Sequence, residues 1–496
     1  MPIDSVGLPY QNRTKAWLLL KDIMAGEEAI KRKGTEYVPQ LGTQDAVSYK
    51  SYLNRGYLYN ATDRTRSGLL GAIMRKPANW SVPDVLMPYM NQITIDDLSF
   101  DVLISNVSNE NLSTGFLLLY ADCQATVDGK PKPYVSVYTA LDIINCQTAI
   151  IGGREQLIWL TVREIVHVPN VDDPYTLDSI EQIREFTLTQ NGLIVQVYRM
   201  GEKEWEKVGD PLEPTRFGGK RMDIIPCTFI GAVNNSKNPP KPPLLDLAYA
   251  NIKHFQVSCD YYHGLHYCAI PTPFAFGFSL ASGLSVGPEM ALVSTNENAK
   301  CGYMEFTGQG LKSVREALND MKMEMSILGA RILEEQKRVG ESAEALILRG
   351  RGDSATLSTI VNSNEEGLKK IVHYLCYWLN YEVDPDEVNL KLNKDFISAR
   401  LNSQDFMVLI QALQAGKISV DTFLYNLQVG EILPEERTID QEKILIEKDT
   451  ENIVSIDVVP GKGKKGKVKG GGSETGTQNI QKGKTQNSRT AGSASD

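Results

Sequence analysis

The chain has 496 residues, 42% of them apolar and 23% charged, with 52 Lys and Arg set against 61 Asp and Glu. That length and balance suit a globular protein of two to four domains and exclude a wholly disordered chain. No run reaches the ~18 apolar residues of a membrane span. The opening MPIDSVGLPYQNRTK lacks a signal-peptide core, and seven scattered cysteines without a CxxC pair read as reduced thiols rather than a disulfide framework.

Residues 13 to 33 predict a helix with a weak point at Gly26, and Tyr52 to Met74 predicts a second, ended by Lys76-Pro77. Its Arg55, Arg64 and Arg66 suit either phosphate contacts or a solvated, ion-paired face. A third helix is expected over Asp96 to Ser105. Strand patterns then take over at 116–120, 134–138 and 157–168. Residues 183 to 199 predict a hairpin in which Asn191-Gly192 forms a type I′ turn, and Ile224 to Gly231 predicts a closing strand. NNSKNPPKPP (234–243) is a proline-rich connector and the expected boundary of this α+β region.

Beyond it, Leu244 to Cys268 and Leu311 to Gln336 each repeat apolar residues at steps of three and four. Such spacing draws one narrow packing stripe along each helix. Leu245, Ile252 and Phe255 lie on the first stripe; Leu318, Met321, Met325 and Leu328 lie on the second. Residues 269–310 between them carry Pro271, Pro273, Pro288 and six glycines, which no continuous helix tolerates. Residues 337–353, with glycines at 340, 350 and 352, predict a loop or broken helix. A long helix over 354–381 follows, with Asp353 or Ser354 as its cap. Two short helices over 402–428 flank Ala415-Gly416, with Ser419 capping the second, and 441–450 adds a last turn or two.

Charge divides sharply along the chain. From 461 to 496 there are eight Lys and Arg against two acids, a tail of +6; the remainder holds 44 basic and 59 acidic residues, or −15. The Gly- and Lys-rich tail cannot form a core and reads as a solubilising segment or a contact for a polyanion. An acidic body is unlike a DNA-binding surface built on clustered cations.

Signatures of catalysis are missing: the sequence has no GxxxxGK[ST], no GxGxxG after a strand and no GxSxG. Cys259, His263, His266 and Cys268 form the one metal-like cluster, but His266 falls on the packing stripe, and packed or hydrogen-bonded side chains are expected there. Arg351-Gly352-Asp353 is a chance-length tripeptide.

Four segments carry a wider likeness: PYVSVYTALDIINC (133–146), LLDLAYANIKHFQVSCDYYHGLHYCAIPTP (244–273), LGARILEEQKRVGESAEALILR (328–349) and LQAGKISVDTFLYNLQVGEILPE (413–435). In their joint order these segments resemble the portal proteins of tailed bacteriophages. They are most similar to the podophage portal-like family known only as a domain of unknown function. The resemblance implies an α+β protomer: a wing over 1–243, stem helices at 244–268 and 311–336, and a clip at 269–310. It further implies a tunnel loop at 337–353, a long helix and return to the wing at 354–397, a helical crown at 398–450 and a tail from 451.

By the same resemblance, copies form a ring, typically of twelve, at one capsid vertex of a virion assembled in the host cytoplasm. Duplex DNA passes through the ring during packaging and ejection. Its partners are the terminase large subunit, a tail adaptor and the major capsid protein, with no membrane, cofactor, metal or enzymatic activity. Arg349 and Arg351, before Lys337 and Arg338, are the expected DNA-facing residues, with ion pairs to Glu341 and Glu344 as an equal alternative. Two other readings stand beside this one: a head-tail adaptor ring without motor docking, and an enzyme with zinc at 259–268.

Overall fold

The computed structural model describes residues 2–40, 42–125, 130–170, 173, 175–270, 272–278, 296–304, 308–329, 343–384, 386–394, 396, 403–429, 432–433 and 437–456. The fold is α+β. Residues Met1–Ile397 make one compact unit and Ser398–Asp496 a second, so the proline-rich stretch at 234–243 lies within the first unit and is not a boundary between compact units.

Helix α1 (Leu8–Ala25) and α2 (Glu27–Lys33) meet at Gly26, whose φ of 98° breaks the rod at the predicted weak point. The helix expected over Tyr52 to Met74 is two helices, α3 (Ala46–Arg55) and α4 (Ala61–Ile73). Asp45 caps the first, its side chain accepting from the Val47 and Ser48 amides, and Asn60 caps the second by accepting from the Asp63 amide. After strand β1 (Asn79–Ser81), helix α5 runs Phe100–Thr114, later and longer than expected; Ser99 caps it and Gly115, at φ 73°, ends it.

Strands follow in one block: β2 (Phe116–Ala125), β3 (Pro131–Thr139), β4 (Ile143–Ile151), β5 (Arg154–Pro169), β6 (Leu177–Thr189), β7 (Gly192–Met200), β8 (Trp205–Leu212) and β9 (Cys227–Gly231). They form a three-stranded sheet in the order β3-β2-β9 and a five-stranded meander β4-β5-β6-β7-β8. At the predicted hairpin Thr189 pairs with Gly192, and only Gly192, at φ 118°, has positive φ. The turn residues are therefore Gln190-Asn191 and the turn is not type I′, which needs positive φ at both central positions.

Helix α6 (Leu245–Ala269) leads to the antiparallel pair β10 (Thr272–Phe276) and β11 (Lys300–Met304), and α7 (Gln309–Ile327) returns. Helix α8 (Ala343–Trp378) then packs along β2, β9 and α5, and β12 (Asn389–Lys391) pairs with β1. Because α8 begins at Ala343, the stretch of the expected tunnel loop from 343 to 353 is helical, and Asp353 and Ser354 are interior rather than capping. Ala343, Glu344, Ala345 and Leu346 are strong helix formers, and each interior glycine costs only about 1 kcal/mol.

Two buried clusters hold the first unit together. One joins α5, the β2 sheet, the inner face of the meander and α8; Phe116, Leu118, Phe186, Ile230 and Leu368 are all sealed within it. Gly367 brings α8 so close to β9 that a methyl group there would overlap Ile230. The other cluster joins α1 to α4 with the first half of α6 and Met325 of α7. In the second unit, α9 (Ser403–Gln414), α10 (Val420–Val429) and α11 (Ile439–Ile456) follow one another. Ser419 caps α10 by accepting from the Thr422 amide, and Lys443 of α11 pairs with Asp421 of α10 at 2.5 Å.

Candidate functional site: the paired helices

Helix α6 has two unlike halves. Its first half is bedded in the body: Leu245, Ala248, Ile252, Phe255 and Cys259 are buried against α1, α3 and α4. Two polar residues lock it there. Asn251 accepts from both the amide and the hydroxyl of Thr62 (3.1 and 3.0 Å) and donates to the Tyr59 carbonyl (2.8 Å). Ser258 accepts from the Tyr57 amide at 3.1 Å. Tyr52 donates to Asp260 at 2.7 Å, one turn further out.

The break between α3 and α4 exists for this contact. Gly56 lies where a methyl group would come within 2.3 Å of Cys259 Sγ. Any side chain there would push the connection off α6. Burial pushes the Cys259 thiol up to about 12, so it is a packed apolar group, not a reactive one.

Helix α7 lies antiparallel on α6. Gly264 and Cys268 of the outgoing helix sit against Leu311 and Gly308 of the returning one, while Met325 at the far end joins the same core as Leu245 and Ala248. Most residues of the expected stripe are covered within the chain itself. Leu245, Ile252, Phe255, Leu318 and Met325 are buried and Met321 is half-buried. Leu328 departs from it: α7 ends at Ile327, and Leu328, as the C-cap, is 46% exposed. A side chain past the last helical turn no longer follows the helical period.

The outer halves are different. Tyr262, Leu265 and Tyr267 of α6 are exposed, as are Phe276, Tyr303 and Met304 of the β10–β11 pair beyond. The helix pair therefore ends in an uncovered, aromatic-rich tip; such patches mark interaction surfaces.

A buried histidine lies where the bedded half meets α7. His254 is 2% exposed, and neither ring nitrogen has a hydrogen-bond partner among the described residues. Burial, with Lys322 nearby, lowers its pKa to about 4, so it is neutral. Its ring lies against Tyr59, and Tyr59 carries two cations: Arg64 at 5.0 Å and Lys322 Nζ at 5.1 Å from the ring centre.

Of the expected DNA-facing residues, Arg349 and Arg351 fall within α8, and Lys337 and Arg338 lie outside the described residues. The metal-like cluster is dispersed. Cys259 faces Gly56, His263 packs edge-on to Tyr52 beside Arg55, and Cys268 faces the start of α7. Sequence reasoning missed Asn251, His254 and Ser258. Their signal was present: spaced by three, four and seven, they sit beside the apolar stripe, and Asn251 and Ser258 find partners across the interface as buried polar groups do.

Residues 243–379, from the proline connector through α8, match a family described as "Domain of unknown function (DUF4055)". No curated protein matches the chain. Among solved structures, the chain is similar to one from "Neck of native GTA particle computed with C12 symmetry", at 13% identity, TM-score 0.37, covering 77% of this chain and 93% of that one. It is also similar to one from "Neck of empty GTA particle computed with C6 symmetry", at 13% identity, TM-score 0.35, covering 79% and 94%.

Proposed function

We propose that this protein is a structural subunit of a phage-type head-tail connector and, more specifically, the portal: a ring whose central channel passes duplex DNA. The observation that carries the reading is the helix pair, rooted by Asn251, Ser258 and Phe255 in the body and ending in an uncovered aromatic tip. Side-by-side copies would bury the pair and enclose a bore, and the tip would meet the motor and later the tail adaptor.

The charge balance supports the same role. Identical bodies of −15 arranged in a ring sum to a strong negative field. A duplex then slides without the many phosphate contacts that make binding tight and salt-dependent. In this reading the protein has no catalysis of its own, and hydrolysis belongs to the terminase large subunit. Among the described residues, no helix is long and apolar enough to cross a membrane.

Electron microscopy of the purified protein tests the proposal. A ring of about twelve copies with a flared body and a narrow stem supports it; a stable monomer overturns it. A ring that binds tail proteins but never the terminase large subunit would instead be an adaptor. Arg349 and Arg351 keep their proposed DNA-facing role: replacing both with Glu is expected to leave rings intact and reduce packaged DNA. Unchanged genome content would remove them from the channel wall.

A further inference from the structure

Helix α7 carries opposite charges on opposite flanks. At about 100° per residue, Arg315 and Lys322 share one flank, and Asp320 and Glu324 share another about 170° round the helix. All four are exposed. Among the described residues, neither Arg315 nor Lys322 meets a carboxylate, and neither Asp320 nor Glu324 meets a cation. Arg64 adds to the basic flank, held with Lys322 over Tyr59. Met323 and Ile327, the latter 66% exposed, add apolar surface next to the acidic flank.

We propose that the acidic flank of α7 docks against the basic flank, Arg64, Arg315 and Lys322, of a second copy of this chain. The inference rests on the ring reading above and names the surfaces that join its members. A ring of identical copies requires two unlike, complementary surfaces on each subunit, since head-to-tail contact repeats one patch against another. One helix supplies both here. Arg64 and Lys322 are already positioned on Tyr59, with no carboxylate partner among the described residues to release, and Met323 and Ile327 exclude water around the new pairs. Desolvated pairs of this kind fix register and reject wrong partners more than they add affinity.

Two variants of the full chain test this. One replaces Arg64, Arg315 and Lys322 with Glu; the other replaces Asp320 and Glu324 with Lys. Analytical ultracentrifugation at fixed salt should find each variant unassembled alone, with wild-type circular dichroism. An equimolar mixture should form rings holding both in equal amounts, because every interface in an alternating ring is again acid against base. Milder Lys322→Gln and Glu324→Gln changes should each raise the concentration for half-assembly about tenfold or more.

Wild-type rings together with rings of either charge-reversed variant alone would overturn the flank assignment and leave the ring reading standing. Two folded variants that fail to assemble when mixed would also overturn it. If a charge-reversed variant misfolds, unchanged assembly of the Gln variants overturns it instead. A wild-type protein that never assembles removes the ring reading itself.

Discussion

Arg184 in the meander and Lys322 on α7 are both cations beside tyrosines, yet their surroundings differ. Arg184 lies between Glu164 at 3.2 Å and Asp122 at 3.6 Å. Tyr138 donates to Glu164 at 2.6 Å, Tyr134 to Asp122 at 3.0 Å and Gln182 to Glu164 at 2.8 Å. Burial raises the Asp122 pKa while Arg184 and the donors oppose that rise, and both carboxylates of this seam between two sheets have a cation and hydrogen-bond donors within the chain. Lys322 and Arg64 lie over the Tyr59 ring, and among the described residues neither meets a carboxylate. A region complete in itself serves folding, and one left electrostatically open at a surface is where a partner is accommodated.

The sharpest way to break that contrast is to remove Arg184. Arg184→Met leaves two largely buried carboxylates facing each other and should lower unfolding stability by about 3 kcal/mol, read by urea denaturation. A loss below about 1 kcal/mol would mean that the seam is solvated and the contrast unfounded. Next comes Asn251→Ala, which takes the acceptor away from the Thr62 amide and hydroxyl in the buried root of α6. It should cost about 2 kcal/mol by the same measurement. Its loss should fall on stability, since Asn251 belongs to the closed half of the helix pair.

The fold was legible where local chemistry decides it. Gly26 breaks α1 from α2, Ser419 caps α10, and the alternation over 183–199 makes a hairpin, each from a few neighbouring residues. Legibility failed where a distant residue decides. Nothing near Gly56 announces that Cys259, some two hundred positions on, needs the space where its side chain would stand. Gln190-Asn191 rather than Asn191-Gly192 forms the turn because the β6–β7 register, not the Asn-Gly pair, sets its place. The proposed assembly surface was half-visible. Stripe spacing marked the buried face of the first half of α6, while the Tyr59 platform brings together Arg64 of α4, His254 of α6 and Lys322 of α7 and has no linear signature.

His254 offers a pH test at the boundary between the closed and open regions. Its folded pKa of about 4 lies below the ordinary 6.5, so between those values the unfolded chain takes up a proton that the native one refuses. Its contribution is therefore full above pH 6.5 and is lost as the pH falls toward 4. The difference in stability between wild type and His254→Gln should change by about 2 kcal/mol across that window. A difference that stays flat with pH would show that the histidine is solvated and that the junction of α6 with Tyr59 is open to water.

The smallest expected effect separates the two regions most directly. Lys322→Ala removes a cation that lies over a ring and has no carboxylate partner among the described residues, so subunit stability at concentrations too low for assembly should shift by less than about 0.5 kcal/mol. Assembly should nonetheless weaken, because the charge acts between copies rather than within one. If Lys322→Ala destabilised the lone subunit as much as Arg184→Met, the cation would belong to the fold, and the α7 flank would be no more open than the seam between the sheets.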